Sequence, residues 1–571
     1  MGQAPQAEGR RGVGDLIGGF VAGLYGVPAG IGFASLAGIN PMLGIYAGML
    51  PVAVSAATSG TVLLIATLTS SIALTMGGVI DASGFSGEQV SQAAFTMALL
   101  VGVILAAIGV LRLGWIVNYI SNSVLTGFVL GIAILIIAGK VPDIFGYDPT
   151  DVSNKMVKAL DVVVHPGDWS PAATAVGLGT IVAGFALKAL PGVSRYALII
   201  VVLAGTAIVW LLGLDVALVS DQATIPSGLA ALPIPGGPED LPDPTMVPDL
   251  LVGAVAISIV ALALGAGIRP AFPNPDGSRA SQSRDFLAVG LGNLAGSLFQ
   301  SPPVGGSLSR TALLHDGGAS SRLGGLAAAA TVVVLVVFFG PVVGAIPEPV
   351  IGGLLFIVGV GLVRGRLPDT RLAVRTGTMP AVTLVVTFVL TLSVPLQWAI
   401  MLGALLSLAA YVVGSASRGE LVVARHDGHG WLLEADIPAE LPADEPLVLR
   451  HQGPNFFAEV PAMVDALPDP DPTHPGVVVL DVGELRHVAS TALKQLDRYE
   501  AKLSRSGGAM VLTGVGPAPR AVLAKTGLLE RIGEENVLPP DPHLGGALEA
   551  GRRRGQARLF ELQAARSSVS Q

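Results

Sequence analysis

Arg310 stands in the run Gly305-Gly306-Ser307-Leu308-Ser309-Arg310-Thr311. No other basic residue falls in the interior of an apolar stretch of this chain. A charge at membrane depth is expensive to bury and is a functional hypothesis by default. Its neighbours define the chemistry. Two glycines followed by a serine open a short helix, whose unpaired N–H groups and positive dipole end attract anions. Ser307, Ser309 and Thr311 add hydroxyl groups, and Arg310 adds a permanent charge on a planar fork of donors. That combination suits binding of a small anion. The plainer reading pairs Arg310 with Asp285 or Asp316, or lets it reach for the membrane surface, and leaves the serines as caps.

A second hydroxyl cluster, Thr67, Thr69, Ser70 and Ser71, lies in TVLLIATLTSSIALTMGG at 61–78. Hydroxyls commonly cap helices, so its weight comes from a shared grammar. In both places an extended stretch gives way to hydroxyl residues that open a short helix. Broken helices persist in a membrane only inside protein or beside water. At matching places in two halves of a chain they point to a transporter's central site. The expectation is two facing half-helix N-termini around a small hydrated anion. Phe33, in Val27-Pro28-Ala29-Gly30-Ile31-Gly32-Phe33-Ala34, offers a positive ring edge to such a site, although plain packing explains that pattern equally well.

The elements that must position these residues follow from composition. The chain has 571 residues, 51% of them hydrophobic and 13% charged, against about a quarter charged in a soluble domain. Charged residues make up 9% of 1–420 and 23% of 421–571, so a membrane part precedes a soluble part. About fourteen segments between 15 and 415 approach the length and apolarity of a span, 284–300 and 307–319 being the poorest. In a layout of fourteen spans the two broken segments are the third of each seven-span half, and the halves run in opposite senses. Arg10, Arg11, Arg112, the cluster Arg364, Arg366, Arg371 and Arg375, and Arg418 then fall on one face. That face is expected to be cytoplasmic, with both termini inside and the protein in the inner membrane. Lys140, Lys155 and Lys158 fall on the other face, in a long loop that also carries acids. The N-terminus lacks a short apolar h-region with a small-residue cleavage site, so the first apolar stretch reads as a retained helix. The domain expectation is an N-terminal segment 1–14, a transmembrane domain 15–415, a soluble domain 421–550 and an extension 551–571. The proline-dense stretch 213–248 reads as a surface linker.

In the tail, PLVLRH, VVVLDVG and GAMVLTGV read as buried strands, and ALKQLDRYEAKL and APRAVLAKTGLLERI as helices. Alternation of this kind indicates a small α/β domain. There is no cysteine, hence no disulfide or thiolate metal site. Nucleotide-loop and zinc-helix motifs are absent, and no acid–base or nucleophile cluster marks an enzyme, so no cofactor, metal or nucleic-acid partner is expected. His426 and His429 sit in a Gly-rich turn and read as solvated.

The stretch GDLIGGFVAGLYGVPAGIGFASLAGINPMLGIYAGMLP resembles the first two spans of the sulfate permease family, also called SulP or solute carrier family 26. SRDFLAVGLGNLAGSLFQSPPVGGSLSRTALLHDGGASSRLGG resembles its spans 9 to 11, with Gly-Ser-x-Ser-Arg-Thr-Ala intact. PNFFAEV, VVVLDVGELRHVASTAL and LLERIGEENV resemble its cytoplasmic STAS domain. The resemblance covers roughly residues 12–550. It implies an inverted repeat of seven plus seven spans, arranged as core and gate subdomains, and a homodimer. The anion would lie between half-helices 3 and 10, contacted from Phe33, Thr69, Ser309 and Arg310, with Ser70 and Ser307 nearby. Thr67, from the hydroxyl cluster, completes the expected substrate-binding set.

The departures are specific. Ala29 follows Pro28 where many members carry Gln or Glu, and Thr67-Leu68-Thr69 replaces the usual Gly-Pro-Thr. No Asp or Glu occurs in 250–268, where many prokaryotic members carry a Glu in span 8; Ala261 or Leu262 takes its place. That carboxylate is a natural coupling group, so proton symport is not expected. Ala489-Ser490-Thr491 stands where relatives often have Asp-Ser, and Ser490 is either a helix cap or a phosphorylation site. The expected function is secondary transport of a small inorganic anion by elevator-like alternating access. Sulfate leads, with bicarbonate or a dicarboxylate next. A non-transporting sensor acting through the STAS domain is the alternative from another class. A nucleobase transporter of the same fold is discounted, because span 8 has no carboxylate.

Overall fold

Helices with little polar side chain and no strand alternation dominate the chain as far as residue 416. The structure is a computed structural model describing residues 6–569 apart from 120, 148, 150–154, 191–192, 194–195, 223–224, 276, 417–419, 453–465, 472–473 and 484–489. PNFFAEV and Arg418 lie outside these residues. The chain divides into two compact units, Met1–Leu408 and Ala409–Gln571.

The first unit contains α1 (Gln6–Leu36), α2 (Pro41–Tyr46), α3 (Leu50–Thr58), β1 (Ala66–Thr67), α4 (Ser70–Ser83), α5 (Glu88–Val110), α6 (Asn122–Phe145), α7 (Lys155–Val164), α8 (Pro171–Ala189), α9 (Ala197–Leu212) and α10 (Val219–Gln222). It continues with α11 (Val247–Ala271), α12 (Gln282–Ser297), β2 (Gly305–Gly306), α13 (Leu308–Asp316), α14 (Arg322–Gly344), α15 (Glu348–Thr376) and α16 (Thr378–Ser393), and α17 (Leu396–Ala416) runs across its boundary at Leu408. Among the described residues, eight helices are long and apolar enough to cross a membrane. Three shorter apolar helices, in α9, α16 and α17, accompany them. Each apolar segment expected from the sequence overlaps a helix or helix pair, but 61–78 is only half helical, with β1 running before α4. The poorest, 284–300, is α12, which buries Asp285, Asn293 and Ser297 among protein neighbours rather than facing lipid. Its hydropathy is low for that reason.

Two helix groups are visible within this unit. α1 to α5 pack with α11 to α14, and α6 to α9 pack with α15 and α16, with Gly403 of α17 against Thr387 of α16 and Val124 of α6. Contacts between the groups are sparse and come from α1 and α4 against α6, α9 and α15. Inside the first group the backbones come close. A Cβ on Gly44 would lie 2.0 Å from the Gly30 carbonyl oxygen, so α1 and α2 meet at a pair of glycines. Small residues allow this approach where lipid offers no hydrophobic drive between helices.

Two expectations change. The cluster Arg364, Arg366, Arg371 and Arg375, expected between two spans, is instead the last part of α15, which continues to Thr376. An Arg366–Asp369 pair at 3.0 Å, three residues apart on one face, supports that polar extension. The lysines of the long loop are already engaged. Lys140 pairs with Asp143 at 2.6 Å, and Lys155 donates to the Leu36 carbonyl at the end of α1.

The second unit is an α/β sandwich. Its sheet contains β3 (Glu420–His426), β4 (Trp431–Glu434), β5 (Leu447–Gln452), β6 (Val477–Asp481) and β7 (Ala509–Thr513), in the order β4-β3-β5-β6-β7. β3 is antiparallel to both neighbours, and β5, β6 and β7 are parallel. Alternate residues of β6 serve two cores. Val478 and Leu480 face α18 (Ser490–Arg505), α19 (Pro517–Lys525) and α20 (Leu528–Ile532), whereas Val477 and Val479 face α21 (Gly546–Val569). β6 is therefore buried at every position, as a strand covered on both faces must be. The helix expected over APRAVLAKTGLLERI is two helices, because Gly527 at φ 73° turns the chain between them. The β3–β4 hairpin was not foreseen. His426 ends β3, and Asp427 Oδ1 accepts from the N–H groups of His429 and Gly430 to close its turn.

Candidate functional site

The two broken segments meet. β1 pairs antiparallel with β2, Ala66 opposite Gly306 and Thr67 opposite Gly305. The unwound backbone thereby finds partners that a lone extended segment in a membrane would lack. The ladder continues past its strands, since the Ser307 N–H donates to the Ile65 carbonyl at 2.8 Å. The Ile65 N–H in turn donates to Thr311 Oγ1 at 3.3 Å. Because the strands are antiparallel, α4 and α13 leave the ladder in opposite directions with their N-termini together.

Each start is capped as its sequence prescribes. Thr69 is the N-cap of α4 and accepts from the Ile72 N–H at 3.4 Å. Ser307 is the N-cap of α13 and accepts from the Arg310 N–H at 3.4 Å. Ser309 Oγ lies 3.3 Å from Ser307 Oγ. Ser309 is exposed and Thr69 half-buried, whereas Ser70, Ser71 and Ser307 are buried. The open side of the site is therefore marked by the hydroxyls of Ser309 and Thr69.

The Arg310 side chain is 3% exposed. Its Nη1 donates to Thr67 Oγ1 and its Nη2 to the Gly26 carbonyl oxygen at 3.1 Å. Among the described residues no carboxylate pairs with it. Asp285 does not, because its oxygens accept from the Gly60 and Thr61 N–H groups at 2.8 and 2.7 Å and from Thr61 Oγ1 at 2.6 Å. Asp316 lies beside His315 instead. A buried ion without a counter-charge costs several kcal/mol, and among the described residues Arg310 has hydrogen-bond acceptors but no anionic partner. Phe33 is buried on α1, one group with the ladder.

Side chains not singled out in the sequence hold the ladder. Asn293 of α12 grips Val304 from both sides, donating to its carbonyl at 2.9 Å and accepting from its N–H at 2.8 Å. Asn274 treats the other segment likewise, donating to the Gly60 carbonyl and accepting from the Val62 N–H. Asp15 accepts from Ser320 and Ser321 N–H groups just beyond α13. The available signal was a polar residue inside or beside an apolar helix, which is costly unless it has such work. On α11, Ala261, Gly265 and Ile268 lie against the ladder: a Cβ on Gly305 would lie 3.2 Å from the Ala261 methyl, and one on Gly306 would lie 3.1 Å from Gly265 Cα and 2.6 Å from Ile268 Cδ1. The stretch of α11 that faces the ladder carries no carboxylate. Ser490 is exposed at the first position of α18.

Comparison with known proteins follows the same line. Residues 13–387 match the sulfate permease family, and residues 439–545 match the STAS domain. The chain is 26% identical over 553 residues to the probable sulfate transporter 4.2 of Arabidopsis thaliana, covering 91% of this chain and 79% of that protein. It is 24% identical to the putative sulfate transporter YvdB of Bacillus subtilis, covering 93% and 97%. The structure of SLC26A9 superposes with a TM-score of 0.81 at 18% identity, covering 97% of this chain and 91% of that one. The transmembrane domain of the cyanobacterial bicarbonate transporter BicA gives 0.55 at 20% identity, covering 70% and 96%.

Proposed function

The chain belongs to the sulfate permease family, and we propose that it carries small inorganic anions, sulfate foremost, across the cytoplasmic membrane by secondary transport. As a family member it is an integral membrane transporter with a STAS domain, not an enzyme. The anion binds at the midplane between the N-termini of α4 and α13. Ser309, Thr69 and the helix N–H groups contact it, Ser70 and Ser307 flank it, Phe33 lines it, and Arg310 balances its charge. Fourteen spans, cytoplasmic termini and a homodimer complete the reading. The transport domain runs over 15–415, the STAS domain over 421–550 and an extension over 551–571.

One observation carries this reading: the buried Arg310, without a carboxylate partner among the described residues, at two capped helix starts. Positive charge, helix dipoles and hydroxyl donors converge where no anion among the described residues answers them. Sulfate leads because curated relatives are named as sulfate transporters. Bicarbonate follows from the name of a solved relative. Elevator-like movement is supported by the sparse contacts between the two helix groups, which let one slide against the other.

The test is uptake of radiolabelled sulfate into proteoliposomes, with bicarbonate, chloride and fumarate as competitors, with and without an inward proton gradient. Saturable uptake is expected, equal under both conditions because α11 offers the site no carboxylate. A second carried anion that outcompetes sulfate would replace it. No uptake or counterflow of any of the four would leave a STAS-linked sensor as the better account.

A further inference from the structure

Thr67 does work of a different kind from the other hydroxyls of the site. Its side chain is fully buried, and its oxygen accepts from Arg310 Nη1. The second bond of the fork, to the Gly26 carbonyl at 3.1 Å, lies on α1. The guanidinium is therefore held between β1 and α1, two elements far apart in sequence from α13. These two are the side-chain hydrogen bonds Arg310 makes among the described residues. A guanidinium has five donors, so the fork keeps donors in reserve.

The anchor is stiff. Thr67 stands opposite Gly305 in the β1–β2 ladder, and Gly305 lies five residues before Arg310. The hydroxyl thus closes a loop from ladder to helix and back. The ladder cannot shift easily: a Cβ on Gly305 would fall 2.6 Å from Ile72 Cδ1, and Asn293 fixes Val304 next door.

We propose that Thr67 is a positioning residue: it does not contact the anion but fixes the fork of Arg310, so that the remaining donors and the charge are presented in one orientation to the anion at the helix starts. A preorganised charge binds better than one that must be ordered on binding. The proposal rests on the anion-site reading and assigns to Thr67 a role separate from Ser309 and Thr69.

The experiment compares Thr67→Val, which keeps the shape and removes the acceptor, with Thr67→Ser, which restores it, in sulfate uptake by the full-length protein. Thr67→Val is expected to raise KM about tenfold with kcat within about twofold, and Thr67→Ser to stay within about threefold of wild type in KM. Placed on Arg310→Lys, which keeps the charge but loses the fork, Thr67→Val is expected to add no more than about twofold. A direct contact to the anion would instead add the full tenfold in both backgrounds and overturn the proposal, as would wild-type KM in Thr67→Val. Unchanged KM in Arg310→Lys would fault the site reading itself. A second measurement needs no transport. In sulfate-free protein the side-chain nitrogen signals of Arg310, assigned by their loss in Arg310→Lys, should show slow rotation in wild type and Thr67→Ser. They should average in Thr67→Val, and equal rotation in all three would overturn the proposal.

Discussion

Replacing Asn293 with Leu would strand both polar groups of Val304, since among the described residues the amide is the partner of its N–H and of its carbonyl. Each unsatisfied buried group costs about 1–3 kcal/mol. A loss of about 2–6 kcal/mol is therefore expected, read as a lower melting temperature of the purified protein together with slowed uptake. An unchanged melting temperature would mean that water takes over the amide's role. The contrast with Arg310, Ser307 and Thr69 is instructive. Ser307 and Thr69 were legible because capping is local: a hydroxyl followed by a helix implies its bond three residues on; Arg310 was legible as a charge in an apolar run. Asn293 was not, because its partner lies across a loop whose course only the fold determines. The acceptor of Arg310 was hidden for the same reason, since Thr67 is 243 residues away. Asp285 was read as a possible partner for Arg310 because type and proximity in sequence allowed it. The structure spends it on the Gly60–Thr61 turn.

At the scale of elements, α21 shows a charge arrangement whose consequence depends on pH. Glu549, in its first turn, accepts from Arg552 Nη2 at 2.9 Å and Arg553 Nε at 2.7 Å. Hydrogen bonding to Arg552 and Arg553 holds its carboxyl down at about 2. A carboxyl with a depressed folded pKa stabilises above its unfolded value near 4.5 and loses that contribution as pH falls toward 2. Glu549→Gln is therefore expected to speed amide exchange across 546–556 in the full-length protein at neutral pH. The difference from wild type should shrink between about pH 4.5 and 2. A difference that persists at pH 2 would assign the effect to packing. The helices were visible in the sequence because apolar runs of span length have few alternatives in water or lipid. The split at Gly527 and the β3–β4 hairpin were not, since each turns on a few residues whose conformation no periodicity records. The end of α15 was misplaced because charge in sequence was taken for a loop, whereas pairs such as Arg366–Asp369 let a helix continue into polar surroundings.

On the scale of the whole molecule, transport needs two things from this fold: a site that discriminates by charge, and a seam along which it can move. The seam was not readable from the chain. It is a property of which helices touch, with α1–α5 and α11–α14 on one side and α6–α9 and α15–α17 on the other. The site belongs wholly to the first group, so a movement of one group against the other would carry it intact. In this account the bound anion is the missing partner of Arg310, and the two half-helices exist to bring their N-termini to it. The most direct measurement is sulfate uptake by proteoliposomes of Arg310→Ala, reconstituted at the same density as wild type and checked for the same melting behaviour. The account predicts that uptake falls to the level of empty liposomes while the protein remains folded. Wild-type uptake by folded Arg310→Ala protein would contradict it, and would place the anion somewhere other than between α4 and α13.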